Sequence, residues 1–577
     1  MVNGRNGGFF MKKKSIALLL VLALVVSLFA SCGKKNDAPA DSKSPANSDQ
    51  QTPENQGSNS SSDNNSEETD TNSGSEWSWP LAEKETLKVW KSWDCQWTEN
   101  PETLKANQAM EQELNIDIEW ICPTPTEAKE KFGLLMASGD YPDILLGVEG
   151  YYTGGAVQAC EDGVILDMTD YIQQYMPNYE ALRNSSERLR KDTTTDDGRS
   201  VTLYTINTRD GEITGEQPWT GLCLRQDWLN ELNMEVPKTI DDWYNVLTAF
   251  KTTYNCEAPL MLGSEDALDY TQDFLTAFGV CKDFYQVDGK VHYGPLEDGY
   301  RQWVELFRKW YAEGLIDPNF VTNNAMYSPV FEYLGTGRAG ASANLYSWTC
   351  DYLVSMGIAT DEDYWLVAAP SPVLNEGDTP QIAADMGALV GGSISISRDC
   401  KNVELACRWL DYCYSTEWML FSSYGIENET YTKNGDGTYS FLESAKNHIV
   451  NDLDYPTFAE GLKSEYCLHN EGLGLYNWYA LSVIRQGEPV LEAYDIWDVA
   501  KTDMVLPARR SLTAEELTDY NNTYVSLQTL VRENTIKIIT GAASMDTYEQ
   551  FQKDLISYGA QKCIDYQQAA LDRYNAR

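Results

Sequence analysis

The chain has 577 residues, with 44 Lys plus Arg against 87 Asp plus Glu, a formal charge of −43, and three His. Phosphate backbones are held by clustered cations, so a field of this sign argues against a nucleic-acid binder, and three His leave little for His-based metal or general-base chemistry. At roughly 100 to 200 residues per domain the length allows about three to five units, or one large two-lobed body, and 42% hydrophobic with 12% aromatic residues supplies ample core material.

Lys12, Lys13 and Lys14 precede an apolar run from Ile16 to Ala30, followed at once by Ser31-Cys32-Gly33. A basic start, a short apolar stretch and small residues before a break describe a secretory signal over residues 1–32, too short and wrongly flanked for a membrane span. Met11 is its more natural start. The run Leu28-Phe29-Ala30-Ser31-Cys32 resembles a bacterial lipobox, with Phe29 where Leu is more usual. That resemblance implies that Cys32 becomes the acylated first residue of the mature chain.

From Gly33 to Glu76 there is no Val, Ile, Leu, Met or Phe. Nothing there can bury a core, so residues 33–79 are expected to be a disordered tether, spanning on the order of 35 to 40 Å. Subtracting four basic residues in 1–32, and three basic and nine acidic in 33–79, leaves 37 − 78 = −41 on residues 80–577. The acidity belongs to the folded body.

Beyond Cys32 the body carries twelve Cys, with no C-x-x-C pair and no Cys/His cluster of zinc spacing. Exported proteins often pair such residues. Cys407 and Cys413, however, fall among apolar residues in a helical pattern and read as small hydrophobes, which favours mostly free thiols.

The body opens on alternating strand and helix patterns. Leu87 to Trp93 reads as a strand, and Asn100 and Pro101 can start a helix with Ala106, Ala109, Met110 and Leu114 on one face. Ile116, Ile118, Trp120 and Cys122 alternate as a second strand, and a helix through Ala128, Phe132, Leu135 and Met136 stops at Ser138-Gly139. Pro142 to Gly147 makes a third strand. This βαβαβ order predicts a parallel sheet with ligands beyond the carboxyl ends of its strands, after Trp93 and after Gly147.

Further on, Thr239 and Asp242 form a capping pair for a helix that buries Ile240, Trp243, Leu247 and Phe250. A second amphipathic helix runs through Tyr300, Trp303, Leu306, Phe307 and Trp310. Gly335-Thr-Gly-Arg-Ala-Gly340 matches G-x-G-x-x-G, but a helical stretch precedes it and a strand follows, the reverse of what dinucleotide binding needs. It reads as a turn into a strand whose exit carries Tyr346 and Trp348. Asn434-Gly-Asp-Gly437 marks a hairpin, and the last 65 or so residues are strongly helical.

The body is rich in Trp and Tyr. Trp228, Trp243, Trp303, Trp310 and Trp409 fall on helix stripes and are expected to pack. Trp93, Trp97, Tyr151, Tyr152, Trp219, Tyr346, Trp348 and Trp478 lie at strand ends or in loops. Flat apolar faces with polar edges suit sugar rings, whose hydroxyls would meet carboxylates, amides and Arg. The polar candidates are Asp94, Glu149, Arg225, Asp385 and Glu427; Asp94 could instead cap a turn, and Arg225 could form an interlobe ion pair. Asp140 and Asp143 read as turn residues.

Several segments together resemble the extracellular solute-binding lipoproteins of bacterial ABC importers, specifically the long carbohydrate-type group. They are Met136 to Ile144 (MASGDYPDI), Glu161 to Tyr171 (EDGVILDMTDY), Arg225-Gln-Asp-Trp-Leu-Asn-Glu-Leu with Val236-Pro-Lys-Thr239, Trp310 to Pro318 (WYAEGLIDP), Lys401 to Asp411 leading into Tyr424-Gly-Ile-Glu427, and Gln567 to Tyr574. The resemblance implies an α/β, two-lobed, type II periplasmic-binding-protein-like fold with a hinge, a cleft and a helical C-terminus. By analogy the first lobe takes residues 80–205 and 365–450 and the second 206–364 and 451–577, with Trp365 to Pro370 as a returning crossover. It further implies a monomer, anchored to the extracellular face of the cell membrane through Cys32, that closes on its solute and delivers it to permease subunits. No catalytic residue and no cofactor are expected. Long members often insert a calcium loop after the helix that here ends Thr248-Ala-Phe-Lys251; this chain runs on as Thr-Thr-Tyr-Asn-Cys-Glu-Ala-Pro-Leu260, without oxygen ligands at alternating positions, so no metal is expected. A secreted glycoside hydrolase, or a surface sensor or adhesin, would share the export signal and the aromatics. The acidic body favours a neutral or weakly charged oligosaccharide.

Overall fold

The computed structural model describes residues 77–95, 98–209, 212–213, 220–262, 268, 272–322, 328–346, 349–355, 357–359, 361, 363–381, 389–455, 457–467, 472–477, 480 and 489–577. In chain order its strands are β1 (Glu85–Trp90), β2 (Ile116–Ile121), β3 (Ile144–Leu146), β4 (Leu203–Arg209), β5 (Glu212–Ile213), β6 (Thr220–Arg225), β7 (Ala258–Leu262), β8 (Phe284–Val287), β9 (Lys290–Tyr293), β10 (Ala339–Tyr346), β11 (Leu366–Ala369), β12 (Leu389–Ile396), β13 (Tyr431–Lys433), β14 (Tyr439–Phe441) and β15 (Leu475–Asn477). Among the described residues two large sheets form, each the centre of one lobe. The first runs β15-β4-β12-β3-β1-β2, with β5 on β4, and the second β11-β6-β10-β7.

The opening βαβαβ is parallel as its pattern predicts: β1 pairs β2 from Glu85↔Ile116 to Trp90↔Ile121, and β3 joins the other side of β1. The helix expected from Pro101 starts later. Asn100 caps a single 3₁₀ turn, Pro101–Thr103, and Leu104, in extended backbone, separates it from the α-helix Lys105–Leu114. The next helix, Pro125–Ser138, does stop at Gly139, whose φ of 70° is the left-handed region where a Cβ would be strained. Asp143 is structural, its carboxylate accepting the Lys88 backbone N–H at 2.8 Å.

Trp77 and Trp79 pack edge to face, 5.7 Å apart, against the first-lobe core. Trp77 therefore already belongs to the folded body, three residues before the boundary expected from composition, because two indoles bury even where the flanking residues are polar. The lobe boundaries move as well. β11 pairs with β6, so 366–369 belongs to the second sheet, whereas β15 pairs with β4 and the helix Phe458–Glu465 packs on Ala106 and Ala445, so the chain stays in the first lobe to Asn477. Short strands that cross between lobes carry no mark of which sheet they join.

The second lobe holds the larger aromatic core. The helix Asp298–Ala312 buries Tyr300, Trp303, Val304, Phe307 and Trp310, each contributing about 1.5 to 3 kcal/mol on leaving water. Onto it pack the helices Ala514–Ile539, Tyr548–Ser557 and Ala560–Ala576 through Leu527, Ile538, Phe551 and Cys563. The capping box of Thr239 and Asp242 forms. The glycine-rich turn joins the helix Ser328–Gly335 to β10, which is the turn-into-strand arrangement and not that of a dinucleotide site. All twelve body cysteines are free, nine of them buried.

Asp411 is 6% exposed, and its carboxylate accepts the Tyr179 backbone N–H at 3.0 Å. Burial pushes its carboxyl up to about 6. The fold thus favours the acid form: that stability is complete below the ordinary carboxylate range and is lost as pH rises through 6. Asp411→Asn keeps the acceptor and removes the charge. It is expected to stabilise the chain by about 1–3 kcal/mol at pH 8 and by nearly nothing at pH 4; urea melts giving the same difference at both pH values would refute this.

Candidate functional site

Sheet topology fixes where the lobes face each other. In the first sheet β1 and β3 end at Trp90 and Leu146, and Ile394 of β12 stands opposite both Leu146 and Leu203. β4 therefore starts level with the end of β3 and continues past the carboxyl edge toward β6. In the second sheet β10 and β11 both run antiparallel to β6, with β7 parallel to β10. The ends of β7, β10 and β11 therefore all lie at the edge where the chain enters β6 from the first lobe. Three segments cross between the sheets, after Arg209, after Ala369 and after Asn477.

A pocket of about 140 Å³ opens at this junction, lined by Glu149, Thr194, Thr202 and Tyr204 of the first lobe and by Arg509 and Arg510 of the second. Gly147, at φ 87°, turns the chain sharply after β3 into the short helix Val148–Tyr151. The Glu149 N–H donates to Ser393 Oγ at 2.7 Å, and Glu149 Oε2 accepts from Ala156 N at 2.9 Å, which fixes the carboxylate with its other oxygen left over. Arg509 lies over the Tyr204 ring, 4.4 Å from its centroid. Burial raises the Tyr204 phenol, which stays a neutral hydroxyl. Arg510 is committed inside its own lobe, donating to Gln567 Oε1 and Pro507 O.

Beside the pocket the end of the helix Ala560–Ala576 is tied to the first lobe. Tyr574 Oη donates to Asp192 Oδ1 at 2.8 Å, Lys191 Nζ to Asn575 O at 2.9 Å and Arg577 Nε to Asp196 Oδ1 at 2.8 Å. Asp192, Arg510 and Arg577 thus already have partners within the protein, Arg510 only neutral oxygens, and Glu149 and Asp192 against the three Arg leave the described lining a side-chain charge of +1. Such a lining is close to neutral overall and rich in hydrogen-bonding groups.

Of the expected site residues that are described, only Glu149 lines this pocket. Trp93 is corrected: it is 3% exposed, its Nε1 donates to Thr98 O at 2.7 Å, and Lys91 Nζ lies 4.8 Å from its ring. A ring so covered offers no stacking face. Asp94 follows it, exposed, its carbonyl accepting from Lys463. Tyr151 is half-buried and packs on Trp90 at 5.5 Å and Phe132 at 5.6 Å; Tyr152 donates to Asp162. Glu427 is exposed in the turn before β13 and lines none of the pocket.

Arg225 is also corrected. It ends β6 at the edge of the second sheet away from the first lobe, fully buried, with its guanidinium on Asp227 and Asp361 and between the rings of Trp228 and Tyr364. Both carboxylates are in its own lobe, so the pair is intralobe. Cys32, Trp97, Trp219, Trp348, Asp385, Trp478 and the Tyr346 side chain lie outside the described residues. Tyr204 and Arg509 were not singled out in the sequence. The Pro507-Ala-Arg-Arg510 run, two adjacent cations in a strongly acidic body, was the available signal.

Residues 96–420 match the family model for bacterial extracellular solute-binding proteins. The fructooligosaccharide ABC transporter substrate-binding protein FusA of Streptococcus pneumoniae is 26% identical over 368 residues, 62% of this chain and 66% of FusA, so the match spans just under two thirds of that relative. Lipoprotein LipO of Bacillus subtilis is 23% identical over 393 residues, 65% of this chain and 73% of LipO. An HMO-binding, ABC-transporter-associated solute-binding protein from Bifidobacterium longum infantis shares the fold, with a TM-score of 0.65 at 17% identity over 85% of this chain and 99% of that one. FusA solved with kestose does so at a TM-score of 0.58 and 19% identity, over 85% and 99% of the two chains.

Proposed function

This chain belongs to the bacterial extracellular solute-binding protein family, and from that premise we propose that it captures a neutral oligosaccharide between its lobes and delivers it to the permease of an ABC importer, held at the outer face of the cell membrane through acylated Cys32. The observation that carries the choice of solute is the interlobe pocket, whose lining Glu149 and Arg509 share from the two lobes while Asp192, Arg510 and Arg577 are already hydrogen-bonded within the protein. A lining that is near neutral and full of donors and acceptors matches hydroxyls better than a polyanion. Relatives named for fructooligosaccharide and HMO binding support the same class. Cleavage is not part of the proposal, since the family and the relatives are binding proteins.

Closure requires contacts that one lobe alone cannot make. The physical expectation is a solute-dependent gain in stability of about 2.7 kcal/mol at a hundred times Kd, with a smaller radius of gyration in solution scattering. Arg509→Ala should weaken binding at least about tenfold, the scale of a lost hydrogen bond to a charged group. A thermal-shift screen of neutral oligosaccharides, peptides and polyamines checks this. Response to peptides or polyamines with silence toward every saccharide would sink the carbohydrate assignment.

A further inference from the structure

At the edge of the second sheet away from the first lobe lies a groove of about 1190 Å³, bounded by Arg225, Gln226, Asn230, Asp361, Asp363 and Trp365. Leu366 pairs with Arg225 there, while Thr220, five residues back along β6, pairs with Tyr346 at the interlobe edge. At about 3.3 Å per residue the groove is roughly 16 Å from the junction. It is therefore distinct from the interlobe pocket.

The floor is rigid and aromatic. Trp228 stacks on Tyr254 at 4.0 Å, and the Arg225 guanidinium is held between Trp228 and Tyr364 at 4.5 and 4.6 Å. Arg225 Nη1 is buried without an acceptor, and Gly337, at φ 70°, passes over it with no side chain to fill the space. The rim differs from the floor. Trp365 stands 39% exposed, unlike the helix-stripe tryptophans. Gln226 Nε2 donates to Asn230 Oδ1 at 2.8 Å, which leaves Gln226 Oε1 as an acceptor and Asn230 Nδ2 as a donor one helical turn apart. Asp361, half-exposed, gives one oxygen to Arg225 and keeps the other, and Asp363 is exposed.

A partly exposed indole beside an amide donor, an amide acceptor and carboxylate oxygens is the set that recognises a polyhydroxylated ring: apolar CH groups on the indole, hydroxyls on the polar rim. Among the described residues Asp227, Glu231, Asp361 and Asp363 against Arg225 give the lining a charge of −3, and that cation bonds both Asp227 and Asp361, so an anionic glycan is repelled. We propose that this groove is a second carbohydrate site, which holds neutral pyranose or furanose units of a longer glycan on the outer end of the second lobe while the interlobe pocket takes the transported solute. Its volume suits more than one ring.

Affinity electrophoresis of the full chain in native gels containing dextran, mannan, inulin or polygalacturonate tests this. At least one neutral polymer should retard the chain and polygalacturonate should not. Trp365→Ala should raise the polymer concentration needed for half-retardation at least about tenfold. Asp363→Asn, an exposed change that cannot disturb the core, should weaken retardation in the same direction. Both variants should keep the thermal response to the interlobe solute. The proposal is overturned if no neutral polymer retards the chain, if both variants run like the parent, or if oligolysine binds the groove in competition with nothing saccharide.

Discussion

Replacing Arg225 by Ala is expected to lower the stability of the chain by about 3–5 kcal/mol while leaving the solute affinity of the folded fraction unchanged. The guanidinium is fully buried, bonds Asp227 through Nε at 2.8 Å and Asp361 through Nη2, and fills the space between two aromatic rings. Its removal strands the carboxylate of Asp227, which is only 12% exposed, and opens a cavity beside Trp228. Arg225→Lys should recover little of the loss, because an ammonium can neither fork to two carboxylates nor stack flat between rings. Denaturant melts paired with solute titrations measure both halves. A stable Arg225→Ala protein that had lost solute binding would return Arg225 to the solute contacts, against its place at the far edge of the second sheet.

Gly474→Ala should be the most damaging single methyl in the crossing region, at about 3 kcal/mol or more. Gly474 sits at φ 73° directly before β15, and a Cβ there would stand 2.1 Å from the Cys413 carbonyl oxygen. That oxygen cannot withdraw, because it accepts the Leu475 N–H at 2.7 Å, while the Gly474 carbonyl accepts from Ile206 at 3.0 Å. The left-handed backbone alone costs an alanine about 1–2 kcal/mol; the collision adds the rest. Gly472→Ala is the built-in comparison, since Gly472 has φ 77° but nothing within 4 Å of its would-be Cβ. It should show only the backbone cost. Equal losses in the two variants, by urea melts, would mean that β15 shifts freely and that the crossing strand is not fixed by this contact.

The reach of the sequence differs by element. The parallel βαβαβ, the capping box at Thr239, the stop at Gly139 and the packing of Trp243, Trp303, Trp310 and Trp409 were legible because each rests on short-range periodicity or on one residue's backbone freedom. The start of the helix at Lys105 was not, since a cap followed directly by a proline serves a 3₁₀ turn as well as an α-helix. Trp93 and Arg225 were expected at the solute because both stand at strand ends. Trp93 is instead covered by residues from about 370 positions away, and Arg225 lies at the end of a strand that runs antiparallel to its neighbours.

By itself the sequence determined the acidic body, the class of fold and the family, because these depend on composition, on local pattern and on motifs kept in order along the chain. Tertiary structure alone decided that β11 belongs to the second lobe and β15 to the first, that Glu149 and Arg509 line one pocket at the junction, and that Arg225 is a buried structural cation. The reason is strand direction: a β-strand presents the same alternating pattern whichever way it runs. Only pairing tells which of its ends faces the other lobe, and with it which charged residue is free to meet a solute.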